Sequence, residues 1–342
     1  MQTKRKYLQA VLNIGLLALA LIALVWTGIV SPKAVASAFA NPWSALAALV
    51  VILAGAQLNV VRWHLLLGWH GNPLSLSQVW RISYISWFLG TFLPGAAGAD
   101  ALRALYVHRA CPEKRGVAFI TIILDRLLGL AALLVAATGL FALLGGGGLP
   151  QTLYLGIGLL LSGAMLTVLA APFIVVWFNR LLLRLLGRFP RLLRLFREFD
   201  DAARLALALW HRQPGKLIAC LLLGVAGHAL VLAAIVILAR SAGLTLSATQ
   251  LALAGALATL VNQLPLTPGG IGIGELSFAQ FCLVMAPGTE LSAYGSVMLV
   301  FRLLTLISYL PGAPALLTYR PSESARPMAS TTASASESSS AG

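Results

Sequence analysis

The sequence predicts an all-α polytopic membrane protein with about six full spans and two opposed re-entrant broken hairpins forming an inverted repeat; a looser count gives eight spans. Three observations predict it. Of the 342 residues, 59% are hydrophobic and 10% charged, against about 25% charged in a soluble domain. Several apolar stretches reach the roughly 20 residues that a helix needs to cross a bilayer. Two further apolar stretches are interrupted in the same way. "LPGAAGAD" (Leu93–Asp100) and "TPGGIGIGE" (Thr267–Glu275) each read Pro-Gly-x-x-Gly and then reach an acid, and Pro268 follows Pro94 by 174 residues.

The full spans read, in order, as Leu8–Val30, Trp43–Leu67, Gly116–Leu144, Leu153–Phe178, Lys216–Ala239 and Leu291–Thr318. The first follows a basic start, and "ASAFA" (Ala36–Ala40) resembles a cleavage site. Its apolar run exceeds the roughly 7–15 residues of a signal peptide, so an uncleaved span is expected. Between the second and third spans lies "LSLSQVWRISYISWFLGTFLPG", and between the fifth and sixth "LSATQLALAGALATLVNQLPLTPGG". Each is too short to span before its break, and Leu276–Ala286 beyond the second is shorter still. Apolar pieces of about 10–14 residues are re-entrant or buried more often than spanning.

Basic residues set the orientation by the positive-inside rule. Lys4, Arg5 and Lys6 place the N-terminus in the cytoplasm. Arg103, Arg109, Lys114 and Arg115 follow the first break, which therefore enters from the cytoplasm and returns there. The uncharged "GGGGLPQ" loop falls outside, and the second break dips from the outside. Arg320 keeps the C-terminus in the cytoplasm. The result is a multi-pass protein of the cell (inner) membrane. Residues 1–320 read as one transmembrane domain. Within it Asn179–Arg212 is a basic amphipathic cytoplasmic segment, with Arg180, Arg184, Arg188, Arg191 and Arg194 on one helix face. Anionic lipids are its expected partners. Residues 321–342 are Ser/Ala-rich and read as a disordered tail.

Composition excludes several classes. The net charge of +14, from 24 Lys+Arg against 10 Asp+Glu, is explained by cytoplasmic loops rather than by nucleic acid. Cys111, Cys220 and Cys282 have no metal-ligand spacing. His64, His70, His108, His211 and His228 are scattered. No metal, cofactor or catalytic set is expected.

The candidate residues are charges at membrane depth. Asp125 and Arg126 lie in the third span and Arg302 in the last; Asp100, Arg103 and Glu275 sit at the breaks. Exposed to lipid, each central charge costs about 2.5–3.5 kcal/mol, so all six are expected to face one another, the breaks or water. Three acids and three bases allow mutual neutralisation. Internal ion pairs and helix caps are one reading; a substrate-binding pathway is the other. Arg126 and Arg302 are the better headgroup binders, because a guanidinium holds phosphate bidentately. Pro94, Gly95, Gly98, Pro268, Gly269, Gly270, Gly272 and Gly274 form the breaks. Their glycines allow backbone to approach a ligand, and the helix N-termini after Gly98 and Gly274 would point N–H groups at an anion.

"LPGAAGADALRALYVHR", "LDRLLGL" and "PLTPGGIGIGE" resemble the three signatures of the lysylphosphatidylglycerol synthase transmembrane-region family, also called flippase-like membrane proteins. The first signature appears as Pro94, Gly95, Gly98, Asp100 and Arg103, with one extra residue before the acid. Ala96 stands where a basic residue is common. Asp125–Arg126 matches the acid–Arg pair, and Pro268 through Glu275 matches the third signature. The resemblance implies a bacterial or archaeal protein that moves a lipid with a charged or glycosylated headgroup, or a hopanoid, between leaflets. Bifunctional members carry an aminoacyl transferase domain after the membrane part; here the expectation is a stand-alone member. An intramembrane lipid-modifying transferase is the alternative, with Asp100, Asp125 and Glu275 as its candidate bases. An accessory subunit, partnered with lipid-synthesis enzymes through the arginine-rich segment, is the third reading.

Overall fold

The computed structural model describes residues 25–38, 41–71, 74–93, 97–110, 115–145, 150–185, 213–263, 272–288 and 290–319, with residues 22 and 204. Most of the expected first span, the break tips with Pro94, Gly95, Pro268, Gly269 and Gly270, most of the basic segment and the tail lie outside the described residues.

Every described element is helical. In chain order these are α1 (Pro32–Ala38), α2 (Pro42–Trp69), α3 (Leu76–Gly90), α4 (Ala97–Ala110), α5 (Arg115–Leu144), α6 (Gln151–Leu185), α7 (Pro214–Ser241), α8 (Ala248–Val261), α9 (Ile273–Met285), α10 (Leu291–Tyr309) and α11 (Gly312–Leu317). Five stretches are long and apolar enough to cross a bilayer: Pro42–Trp69, Phe119–Leu144, Gln151–Ala170, Pro214–Ser241 and Leu291–Leu317. Together with the shorter apolar helices α8 and α9 they make this a polytopic membrane protein.

Local sequence explains the helix starts. α2 and α7 are both 28 residues long and both open on proline, whose fixed φ suits the first helical position and whose missing N–H has no intrahelical partner there anyway. Asn41 Oδ1 caps α2 by accepting from Trp43 N at 3.1 Å. α3 and α8 both open with a capping box, Ser75 with Gln78 and Ser247 with Gln250. Each pair satisfies two otherwise orphaned N–H groups.

The last expected span is divided. α10 ends at Tyr309, and α11 restarts at Gly312. Pro311 has no N–H to continue the ladder. Gly312 lies so close to the Tyr84 carbonyl that no side chain fits, which lets α11 pack on α3.

α2 and α7 form the spine, with the most extensive pairing of the fold. They run antiparallel. Ser44 Oγ meets Ser241 Oγ at 2.7 Å at one end, and Lys216 lies over the Trp69 ring at the other. Between them, a Cβ on Gly55 would stand 3.1 Å from the Gly227 carbonyl. Small residues at such a crossing let backbones approach, which is how helices associate where lipid offers no hydrophobic drive.

α8 lies inside the bundle; Leu251 through Ala258 are all buried. Its 14 residues reach about 21 Å at 1.5 Å per residue, short of the roughly 30 Å hydrocarbon core. α6 is peripheral. It stacks Tyr154 on Phe141 of α5 and exposes Leu155, Leu159, Leu160 and Leu166, as a lipid-facing helix does. Trp26, Trp43 and Trp177 are exposed, as anchors at the membrane interface are.

Candidate functional site

A cavity of about 430 Å³ opens midway along α2 and α7. Ala56 and His228, both on its wall, each occupy the fifteenth place of a 28-residue helix. The flanks of both breaks also reach it: Gly90, Thr91, Ala99 and Asp100 from the first, Thr259, Asn262 and Gln263 from the second.

The expected charges converge here in two clusters. In the first, Arg126 Nε donates to Asp100 Oδ2 at 2.8 Å, and its Nη2 lies 2.6 Å from the same oxygen. Arg103 Nη1 donates to Asp125 Oδ2 at 3.2 Å and lies 3.8 Å from Asp100. The Arg103 guanidinium also sits over the rings of Trp63 and Trp87, where the aromatic quadrupole favours a cation. In the second cluster, Arg302 Nε donates to Glu275 Oε1, and Arg302 Nη2 donates to Asn262 Oδ1 at 3.4 Å. Glu275 is fully buried, and its arginine partner stands between it and the cavity.

The breaks therefore repeat more than a glycine pattern. In each, an acid in the first turn of the helix after the break, Asp100 on α4 or Glu275 on α9, holds an arginine on the following long helix. The two clusters are joined. Arg126 Nη1 donates to Gln263 Oε1 at 3.0 Å, across 137 residues of chain.

Sequence reasoning missed Arg62. It lies in the last third of α2, near enough to the expected span end at Leu67 to read as an interfacial charge. The structure buries it instead. Its Nε donates to Asp125 Oδ1 at 2.8 Å and its Nη2 to the Asp125 carbonyl at 3.3 Å. Glycines make the room: a Cβ on Gly224 would stand 3.0 Å from Arg62 Nη1, and one on Gly129 3.3 Å from Nη2. The expected balance of three acids and three bases thus becomes three acids and four arginines among the described residues. Asn262 and Gln263, just beyond the end of α8, were missed too.

The glycines act differently from expectation. Gly98 sits against the Leu93 side chain, and Gly274 against Arg302, whose Nη2 would be 2.6 Å from an added Cβ. Both make space for the protein's own side chains. Gly272 does meet a backbone demand, with φ at +91°. α9 begins there, not after Gly274. Glu275 Oε2 accepts from the Gly272 N–H at 2.7 Å, so this acid is both a helix cap and an ion-pair partner. One N–H group at this helix start is thus occupied by the protein's own carboxylate.

His228, on the cavity wall, is hydrogen-bonded through Nε2 to the Gly129 carbonyl at 3.1 Å. Cys220 and Cys282 are buried thiols in helix packing.

Comparison with known families agrees with the motifs. The model of the family described as "Lysylphosphatidylglycerol synthase TM region" matches residues 12–312. Comparison with curated proteins gives no match. The match takes in α1 through α10 and both breaks, and on it the chain belongs to the lysylphosphatidylglycerol synthase transmembrane-region family.

Proposed function

We propose that the protein is a lipid translocator, which moves a lipid with a polar or anionic headgroup, or a hopanoid or glycolipid, between the leaflets through the central cavity. The observation that carries this reading is the meeting of residues flanking both breaks and of arginines from both halves in one charge-lined cavity midway along the spanning helices. Family membership supports it, because the family is linked to lipid flipping. Charges at membrane depth usually line a pathway.

The inverted repeat supplies the means. α2 and α7 match in length and opening residue, α3 and α8 in their capping boxes, and Asp100–Arg126 corresponds to Glu275–Arg302. The spine helices run in opposite senses, as corresponding elements of an inverted repeat must. α3 packs on α4, and α8 on α9, as the arms of re-entrant hairpins do. Broken helices at a repeat interface mark the binding site in transporters built this way, and rocking of one repeat against the other alternates access. The site residues in this reading are Asp100, Arg103, Asp125, Arg126, Glu275 and Arg302, with Arg62 added by the structure. The setting is the cell membrane, with both termini cytoplasmic and the arginine-rich segment on anionic lipid.

No observation favours the transferase. Asp100, Asp125 and Glu275 each accept from an arginine, which leaves none of them placed as a free base. The deciding experiment is reconstitution of the full chain in liposomes with tail-labelled lipids. Leaflet exchange without a new lipid species supports translocation. A new lipid species supports an enzyme, and neither result supports the accessory role.

A further inference from the structure

We infer that the cavity selects a headgroup bearing one negative charge, a phosphodiester, over neutral and cationic headgroups. The inference rests on the translocation reading and adds the charge of its cargo.

Arg62, Arg103, Arg126 and Arg302 line the cavity with Asp100 and Asp125, and Glu275 stands behind Arg302. Among the described residues, four guanidinium groups against three carboxylates leave one positive charge in excess. The second cluster is neutral by itself, so the excess belongs to the first. The repeat shows why it is not cancelled. By the same correspondence that matches Gly55 with Gly227, Asp100 with Glu275 and Arg126 with Arg302, the counterparts of Arg62, Arg103 and Asp125 are Ala234, Phe278 and Phe301. Two positive charges and one negative were placed in one half only.

The excess cannot be relieved by proton loss, because arginine keeps its proton. Its donors are also incompletely used. Arg62 Nη1 and Arg103 Nε are buried without a hydrogen-bond partner among the described residues. An unbalanced charge away from water is unfavourable unless it is paired, and a monoanion in the cavity balances it. A phosphodiester offers two oxygens to a guanidinium fork. Arg126 is the most open of the ion-paired arginines, its side chain 32% exposed, and so the most accessible to an incoming headgroup. The wall beside the charges is apolar, with Leu130, Met298, Phe301 and Leu306. That wall fits an amphiphile rather than a hydrated inorganic anion.

The test uses the full chain in liposomes carrying trace tail-labelled phosphatidylglycerol (net −1), phosphatidylcholine (net 0) or lysylphosphatidylglycerol (net +1). Phosphatidylglycerol is expected to exchange about tenfold faster than the other two, the factor that corresponds to about 1.4 kcal/mol. Equal rates for all three overturn the charge selection and leave translocation standing. Exchange of none overturns translocation, and the charge inference is then decided by binding. In detergent, glycerophosphoglycerol should raise the unfolding temperature, while glycerophosphocholine and inorganic phosphate should not. Equal stabilisation by inorganic phosphate, or none by glycerophosphoglycerol, overturns the headgroup assignment. Arg62→Gln brings the excess to zero and should remove the preference for phosphatidylglycerol; a retained preference overturns the inference. Should that variant not fold, Asp100→Asn, at a partly exposed pair, raises the excess to two. It should extend selection to dianionic phosphatidic acid, and unchanged selection there overturns the inference equally.

Discussion

Arg126 on α5 and Gln263, two residues beyond α8, are hydrogen-bonded across 3.0 Å. The same guanidinium holds Asp100 at the start of α4. One side chain thus links the residues flanking the two breaks, and any change in their separation must break one of its contacts.

Arg126→Ala should abolish lipid exchange at small cost in stability. The Asp100–Arg126 pair is partly exposed, with side chains 24% and 32% accessible, and solvent-screened pairs contribute about 0–1 kcal/mol. Unfolding in detergent and exchange in liposomes measure the two effects. Normal exchange by this variant removes Arg126 from the pathway.

Arg302→Ala should behave differently. It strands the fully buried Glu275 carboxylate, and breaking a buried pair from one side costs about 3–5 kcal/mol. The double variant Glu275→Leu with Arg302→Met should recover most of that stability, since an apolar replacement removes both desolvated charges together. If it also recovers exchange, the pair is structural alone; the translocation reading expects stability without exchange.

Gly272 and Gly274 should separate by mechanism. Gly272→Ala forces a side chain into φ near +91°, a strain of about 1–3 kcal/mol, and should lower the unfolding temperature. Gly274→Ala keeps an ordinary backbone and meets side-chain atoms, Arg302 Nη2 and, at 3.4 Å, Asn262 Oδ1; it should keep more stability and still slow exchange by displacing that guanidinium. Equal unfolding temperatures would show that the Gly272 backbone is not demanding.

Cysteines placed at Gly146 and Arg240 should react with an impermeant thiol reagent from outside, and those at Arg109 and Arg197 should not. External labelling at Arg109 would make the first broken segment a full span and remove the argument for an inverted repeat.

Much of this was legible because charge and proline are conspicuous in apolar sequence. Asp125, Arg126, Arg302 and the two acids at the breaks stand out against leucine; all but Glu275 line the cavity, and Glu275 pairs with Arg302 behind its wall. Arg62 was not legible. A single arginine near a span end looks the same whether it snorkels to the interface or turns inward. Only the glycines on α5 and α7 decide it, and they are distant in sequence. The roles of Gly98 and Gly274 were hidden for a related reason: a glycine marks a close approach without saying what approaches. The division of the last span at Pro311 was hidden by continuous hydropathy on both sides of the turn.

Gly55 and Gly227 hold matching places in α2 and α7, and they touch each other. A residue that meets its own counterpart across antiparallel helices is the arrangement of a two-fold homodimer, in which each surface is its own partner. A chain of half this length, inserted in the bilayer in both orientations, could form the same crossing with a second copy of itself. Joining the copies would preserve that contact and free each half to diverge. An arginine at Arg62 in one half and an alanine at its counterpart Ala234 in the other is the kind of difference that only a joined pair can keep.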